Sequence, residues 1–308
     1  MSKNKKFFFQ IVLMFVLLGL TGILINNLII NLTRTDIGFK FNWLIKPASF
    51  SLAEHSLPYS PSDSYAWALF IGWINSLKVI ISSLILATCI GTLIGFLRVG
   101  KNSFFRITTA GFITIVRQTP LLIQLMCWYF VGFLSIRNNT FLNIRNILNI
   151  SNKGIEFFGL YLSSEFSALL LGLSIFSSAF IAEVIRGGIQ SVPLGQWEAY
   201  RSLGISEKQG FFKIIIPQAL PAFIPGLTSQ YLNLAKNSTL AIAVGYSDIY
   251  AINDTIINQT GRAIECFIIL LFSFLILNLL ITKVMKIIDK SVMRLSLIHI
   301  SEPTRRRL

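Results

Sequence analysis

Apolar residues are gathered into long runs that are separated by short polar segments. Each run is about as long as the ~20 residues that an α-helix needs to cross a bilayer core, and more than half of all residues are apolar. The pattern predicts an all-α polytopic membrane protein with about six spans, at Phe7–Ile30, Ala66–Leu97, Ile107–Ser135, Phe166–Ile185, Pro217–Leu234 and Ala263–Ile288.

One transmembrane domain is expected to account for most of the chain. Residues 1–64 are predicted to supply an N-terminal span and a periplasmic segment with a turn at Pro58-Tyr-Ser-Pro61. The first apolar run is longer than that of a signal peptide and no small-residue cleavage site follows it, so we expect this span to be retained. Residues 65–290 are predicted to form the transmembrane domain proper.

The polar connector at residues 191–217 has the signals of a folded hairpin. Pro193 suits the first turn of a helix, and Gly204 is placed to end that helix in a left-handed conformation. Ser206-Glu-Lys-Gln209 resembles a capping box, with Glu207 favoured by the dipole of a second helix. The sequence therefore predicts two short helices joined by a glycine hinge, and a partner that docks on them from the aqueous side.

The net charge of +14 does not change the prediction of a membrane protein. In a soluble chain it would indicate nucleic acid, but here the basic residues fall at alternate ends of the spans, so no nucleic acid partner is expected. By the positive-inside rule, the 191–217 loop and both chain termini are predicted to be cytoplasmic.

Catalytic chemistry has little support in the sequence. The motifs HExxH, GxSxG and GxxxxGK[ST] are absent, so no catalytic residue is predicted and the chain is not expected to hydrolyse ATP through a P-loop. The three cysteines lie at apolar positions without paired spacing, which predicts neither a disulfide nor a metal site. We expect a non-catalytic membrane subunit that binds no cofactor itself.

The connector also resembles a known coupling element. Glu198-Ala199-Tyr200, then Gly204 and Ile216-Pro217, are spaced as in the EAA loop of ABC importer membrane subunits, where Tyr200 stands in place of the usual alanine. The resemblance implies a type I ABC importer transmembrane domain whose loop docks in a groove of a cytoplasmic ATPase. The candidate coupling residues are Gly195, Glu198, Ala199, Gly204 and Pro217. The alternative is a polar loop that matches by chance.

Further segments are similar to the polar amino acid permease family, most of all to a subunit of the general L-amino acid importers of Gram-negative bacteria. They are Leu57–Tyr65, Asn75–Leu77, Arg117–Leu122, Glu165–Ser174, Leu227–Leu234, Lys236–Ser238 and Asn258–Gly261. The resemblance implies a multi-pass inner-membrane protein that pairs with a second homologous permease subunit. It also implies an ATPase dimer that uses ATP and Mg, and a periplasmic amino acid-binding protein.

The chain departs from that family in two places. Relatives carry a long insertion between the segments matching Phe133 and Glu165, where this chain has only a short loop. The tail 295–308 matches nothing expected after the last span. It resembles translated adapter read-through, and we interpret it as such and assign it no function; a genuine basic tail facing anionic lipid is the alternative.

Polar residues within the spans predict the translocation pathway, because each is costly unless it faces protein or water. Arg117-Gln-Thr119-Pro120 interrupts a span with a charge and a helix breaker, so local unwinding could open towards a cavity. The alternative is that Arg117 extends to the membrane interface.

A second pathway candidate is Lys236-Asn237-Ser238. An amino acid offers a carboxylate to a cation and an ammonium to acceptors, and these side chains could supply both. Lys236 also matches a lysine that the resemblance associates with the substrate pathway. The alternative is an extracytoplasmic lysine at the end of a span.

The sequence hypothesis is thus a pore-forming permease subunit of an ATP-driven amino acid importer. An ion-coupled secondary amino acid transporter is the alternative function, and it should show acidic ion-coordinating residues in broken helices. A membrane receptor or assembly protein is the third reading, and it should lack a substrate cavity. The amino acids carried, and a homodimeric or heterodimeric pore, are left open.

Overall fold

The computed structural model describes residues 3–34, 40–136, 141–144 and 147–299, and most of the predicted tail 295–308 lies outside them. The described residues form helices for the most part. They are α1 Lys3–Arg34, α2 Tyr65–Val99, α3 Ser103–Gln118, α4 Leu121–Met126, α5 Ser164–Gln190, α6 Leu194–Ser202, α7 Glu207–Gly210, α8 Ile216–Asn237, α9 Ile249–Thr260 and α10 Ala263–His299. Shorter helical segments are 3₁₀ at Asn42–Ile45 and Ser238–Val244, and π-helical at Cys127–Leu134 and Phe211–Ile215.

The predicted spans correspond to long helices in the structure. Within the described residues, five helices are long and apolar enough to cross a membrane. A sixth candidate is the predicted span Ile107–Ser135, which is broken into α3 and the segment from Leu121 to Leu134 with a bend of 102°. The break falls at Thr119-Pro120, where the sequence predicted an interruption, because proline cannot donate the backbone bond that would continue α3.

Helices α2 and α5 form the centre of the fold. They approach closely because glycines on α2 face branched side chains on α5: a Cβ at Gly91 would lie 2.7 Å from Ile181 Cγ2, and one at Gly95 would lie 3.0 Å from Ile185 Cβ. Removing the Cβ lets two backbones pack tightly within a membrane. The largest apolar cluster extends from this contact to α8 and α10.

The segment between Leu134 and Ser164 differs from the predicted plain loop. It holds a four-stranded antiparallel meander in the order β1-β2-β3-β4, with strands Leu142–Ile144, Leu148–Ser151, Gly154–Phe157 and Leu160–Ser163. Strand β4 runs directly into α5, where the Ser163 hydroxyl accepts the Phe166 N–H at 3.1 Å as an N-cap. The sheet therefore lies at the end of α5 opposite to the 191–217 loop.

Candidate functional site: the coupling loop and a polar cavity

The 191–217 loop contains the two predicted short helices. Pro193 stands at the N-cap of α6, and Gly204 follows α6 with φ of +69°, the left-handed conformation that the sequence predicted. The Ser206 hydroxyl accepts the Gln209 N–H at 3.4 Å and so caps α7. Both the helix start and the glycine hinge follow from residues whose backbone preferences are local.

Tyr200 is the buried centre of this loop, with 1% of its surface exposed. Its hydroxyl donates to Glu207 Oε2 at 3.0 Å, and its ring lies so close to Gly210 that a Cβ there would be 2.4 Å from Tyr200 Cδ2. The side chain that departs from the EAA pattern thus fixes α6 against α7. Sequence reasoning noted the departure but missed its glycine counterpart.

Ionic contacts link the loop to the α2–α3 connection. Glu207 Oε1 lies 2.7 Å from Lys101 Nζ and 3.3 Å from Arg201 Nε. A hydrogen bond with Tyr200 is the main reason why the pKa of Arg201 is raised above its ordinary value, and the negative charge of Glu207 acts in the same direction. Because these side chains are largely exposed, solvent screens the attraction within both pairs. Their contribution is to orientation more than to stability.

The outward surface of α6 carries most of the predicted coupling residues. Gly195, Glu198 and Ala199 are exposed there, between two strongly exposed leucines that the sequence analysis did not select: Leu194 at 77% and Leu203 at 76%. Pro217 lies apart from them, half-buried in the first turn of α8. A small polar helix flanked by exposed apolar side chains is suited to protein docking. The positions of Leu194 and Leu203, one at each end of the predicted short helix, were a signal of this face in the sequence.

Gln124 closes the break between α3 and α4. Its amide Nε2 donates to the Val116 carbonyl at 2.9 Å, to the Thr119 carbonyl at 3.1 Å and to the Thr119 hydroxyl at 2.6 Å. These carbonyls are among the last acceptors of α3, which no longer have partners within the helix. Thr119 is therefore held in the break by a side chain that sequence reasoning did not identify.

A polar cavity of about 300 Å³ lies between α5 and α8. Its lining consists of aromatic rings and uncharged polar groups: Phe176, Ser177, Phe180, Gln230, Asn233 and Asn237. The Arg117 guanidinium carbon lies 4.9 Å from the centre of the Phe180 ring, so a cation stands beside this lining. Of the predicted pathway residues, the structure brings Asn237 into the cavity lining and Arg117 next to it.

The other polar lining residues follow a helical spacing. Gln230, Asn233 and Asn237 recur at intervals of three and four on α8 and so share one face. That stripe on an apolar helix could have been found in the sequence. Lys236 is exposed one position before Asn237, and Ser238 is buried with its hydroxyl donating to the Ala235 carbonyl at 2.8 Å. Neither is among the residues that line the cavity.

Residues 87–294 match the family model described as binding-protein-dependent transport system inner membrane component. The chain belongs to this family. The match covers more than half of the chain and contains the 191–217 loop, the broken helix and all six cavity-lining residues. The chain is accordingly a multi-pass inner-membrane transport component, and the ion-coupled alternative receives no support.

Two relatives align with most of this chain. The putative amino-acid ABC transporter permease protein YhdX of Escherichia coli K12 is 32% identical over 365 residues, covering 92% of this chain and 93% of the relative. The general L-amino acid transport system permease protein AapQ of Rhizobium johnstonii is 30% identical over 346 residues, covering 85% and 86%. Both alignments are longer than the 308 residues of this chain, so each relative contains residues that have no counterpart here.

Solved structures have the same fold. An amino acid ABC transporter crystallised with histidines matches with a TM-score of 0.59 at 27% identity. The match covers 74% of this chain and 95% of the transporter chain. The MetNI methionine ABC transporter matches with a TM-score of 0.57 at 22% identity, covering 73% and 96%. The predicted fold, a type I ABC importer transmembrane domain, is confirmed.

Proposed function

We propose that this chain is a pore-forming permease subunit of an ATP-driven importer that moves L-amino acids from the periplasm to the cytoplasm. The observation that carries the proposal is the position of the coupling loop. It connects α5 to α8, and these are the two helices that line the polar cavity. Movement imposed on α6 by a cytoplasmic partner would therefore act on both cavity walls.

The cavity chemistry suits a polar, uncharged or acidic amino acid. Arg117 can attract a carboxylate, while the amides of Gln230, Asn233 and Asn237 offer both donors and acceptors. No acidic side chain is among the lining residues, so a cationic side chain would find no opposite charge there. Lys236 is the second candidate partner for a passing carboxylate.

The assembly that this function needs has three further components. They are a cytoplasmic ATPase dimer that uses ATP and Mg, a second homologous permease subunit, and a periplasmic amino acid-binding protein. The exposed face around Glu198 is the proposed ATPase surface, which requires the 191–217 loop and both chain termini to be cytoplasmic. Co-purification of an ATPase in fixed stoichiometry separates this function from a receptor or an ion-coupled carrier.

Coupling is tested by reversing one charge on the proposed docking face. In proteoliposomes containing the whole complex, Glu198→Lys should abolish import and substrate-stimulated ATP hydrolysis, because it places a cation where an acidic side chain meets the ATPase. Glu156→Lys makes the same exchange at an exposed position on the opposite side of the fold and is the matched control. Normal import by Glu198→Lys with the ATPase bound would remove this face from the coupling element.

The pathway is tested at Lys236 and Asn237 in the same proteoliposomes. Lys236→Met keeps most of the apolar stem and deletes the charge, so import should fall while ATPase binding is unchanged. Asn237→Ala removes one lining amide and should alter the preference among amino acids. Import by Lys236→Met at the unmodified rate would leave Lys236 as an interfacial anchor and not a substrate residue.

A further inference from the structure

The four-stranded meander has one face without a single polar side chain. The strand register aligns Leu142, Ile150, Ile155 and Leu162 in one cross-strand row, and Ile144, Leu148, Phe157 and Leu160 in a second row. Positions two apart along a strand point to the same face, so the two rows form one apolar surface. The reverse face carries Asn143, Asn149, Glu156 and Tyr161.

Half of the residues of this apolar surface are left exposed by the chain itself, and the other half are only partly buried. Ile144 is 46% exposed, Phe157 is 48% exposed and Leu160 is 63% exposed. In water, such a surface on a small sheet would promote association with other apolar surfaces. Some apolar environment must therefore cover it in the working protein.

The apolar surface continues into the membrane-spanning part of the fold. Leu162 belongs to the surface and also packs against the cluster that contains Phe166 and Leu169 in the first turns of α5. Tyr129 of the bent α3–α4 span packs on the same cluster. The surface therefore begins where two membrane segments end, and its far row lies only about 7 Å further along the strands.

The chemistry of the surface favours lipid over a protein partner. Protein interfaces carry on the order of one hydrogen bond per 100–200 Å², whereas these eight positions offer no side chain that can form one. Acyl chains need no such partner, and aromatic residues such as Phe157 are suited to the boundary between headgroups and acyl chains. The position at the end of the spans supplies that boundary directly.

We propose that the meander is an interfacial anchor whose apolar face lies on the outer leaflet of the bilayer. The polar face, with Glu156 and Tyr161, then faces the periplasmic water. This role goes beyond transport itself: it fixes the orientation of the α3–α4 and α5 ends at the membrane surface with a short sheet. It is independent of the coupling loop on the opposite side of the fold.

Nitroxide accessibility on adjacent residues tests the anchor. In a background with Cys89, Cys127 and Cys266 replaced by alanine, Phe157→Cys and Glu156→Cys are each spin-labelled in the full complex in nanodiscs. These neighbours lie on opposite faces of β3. The label at 157 should collide several-fold more with oxygen than with an aqueous nickel chelate, and the label at 156 should show the reverse.

A second pair of labelled positions controls for a local distortion of β3 by the label. It consists of Leu160→Cys on the apolar face and Tyr161→Cys on the polar face of β4. Nickel access at 157 and 160 equal to that at 156 and 161 would mean that the surface lies in water and would overturn the proposal. Exclusion of both reagents, or loss of oxygen access only when the amino acid-loaded binding protein is added, would assign the surface to a protein partner and also overturn it. Import need not change in any arm, so failure here is distinct from failure of the transport function.

Discussion

The contact between Tyr200 and Gly210 gives the sharpest prediction for the coupling loop. In Gly210→Ala the new Cβ would lie 2.4 Å from Tyr200 Cδ2 and 2.5 Å from Cε2, well inside van der Waals contact. Tyr200 is fully buried and its hydroxyl is held by Glu207, so the ring has little room to move. Overpacking of this kind costs about 1–3 kcal/mol, which would lower the melting temperature of the complex.

A double-mutant cycle isolates this contact. Tyr200→Ala should itself cost about 3–5 kcal/mol, by analogy with other buried aromatic residues. In that background the obstructing ring is absent, so adding Gly210→Ala should cost almost nothing. The predicted coupling free energy is therefore about 1–3 kcal/mol in the direction of rescue.

The assay is thermal unfolding of the purified complex followed by tryptophan fluorescence. Trp197 is a local reporter, because its ring lies 6.2 Å from the Tyr200 ring. Gly111→Ala in α3 is the control, because it lies outside the loop: no atom lies within 4 Å of its added Cβ, and alanine favours the helix by up to about 1 kcal/mol. An equal cost of Gly210→Ala with and without Tyr200 would refute the reasoning.

Three further predictions use the same unfolding measurement. Gly188→Ala should destabilise the protein because its Cβ would lie 2.7 Å from Phe223 Cδ1, whereas the neighbouring Gly187→Ala meets open space and should be neutral or mildly stabilising. Gln124→Met loses the donors that close the α3–α4 break and should cost about 1–3 kcal/mol. Burial raises the pKa of Asp248 from 3.8 to about 7; between these values the unfolded chain loses the proton that the folded chain keeps, so stability should fall as pH rises. Asp248→Asn retains an N-cap acceptor and should flatten that fall.

Local signals explain why the spans and the loop could be predicted from the sequence. A run of apolar residues has no alternative in a membrane to a helix that satisfies its own backbone. Gly204 and Ser206 act within a few residues of their own position, so the hinge and the cap of α7 were predictable too. The break after Gln118 followed in the same way from Pro120.

Features that need two distant segments could not be predicted in that way. The cavity exists because Phe180 on α5 faces Asn237 on α8, and no local pattern brings those helices together. The meander is different, since its alternation of apolar and polar residues from Leu142 to Leu162 was present in the sequence. It was missed because strands of three or four residues give a weak periodic signal beside spans of about 20. The roles of the coupling and pathway residues stay predictions.

The packing between the cavity and the loop bears on how the two could communicate. A Cβ at Gly188 would meet Phe223, and one at Gly226 would lie 2.7 Å from Val184 Cγ1, so α5 and α8 are in close contact between the loop and the cavity. Helices packed this tightly resist independent sliding. We therefore expect α5, α8 and the coupling loop to move as one body. Arg117 lies outside that body, on α3, so the distance between its guanidinium and the cavity wall at Phe180 is the quantity that such a movement would change.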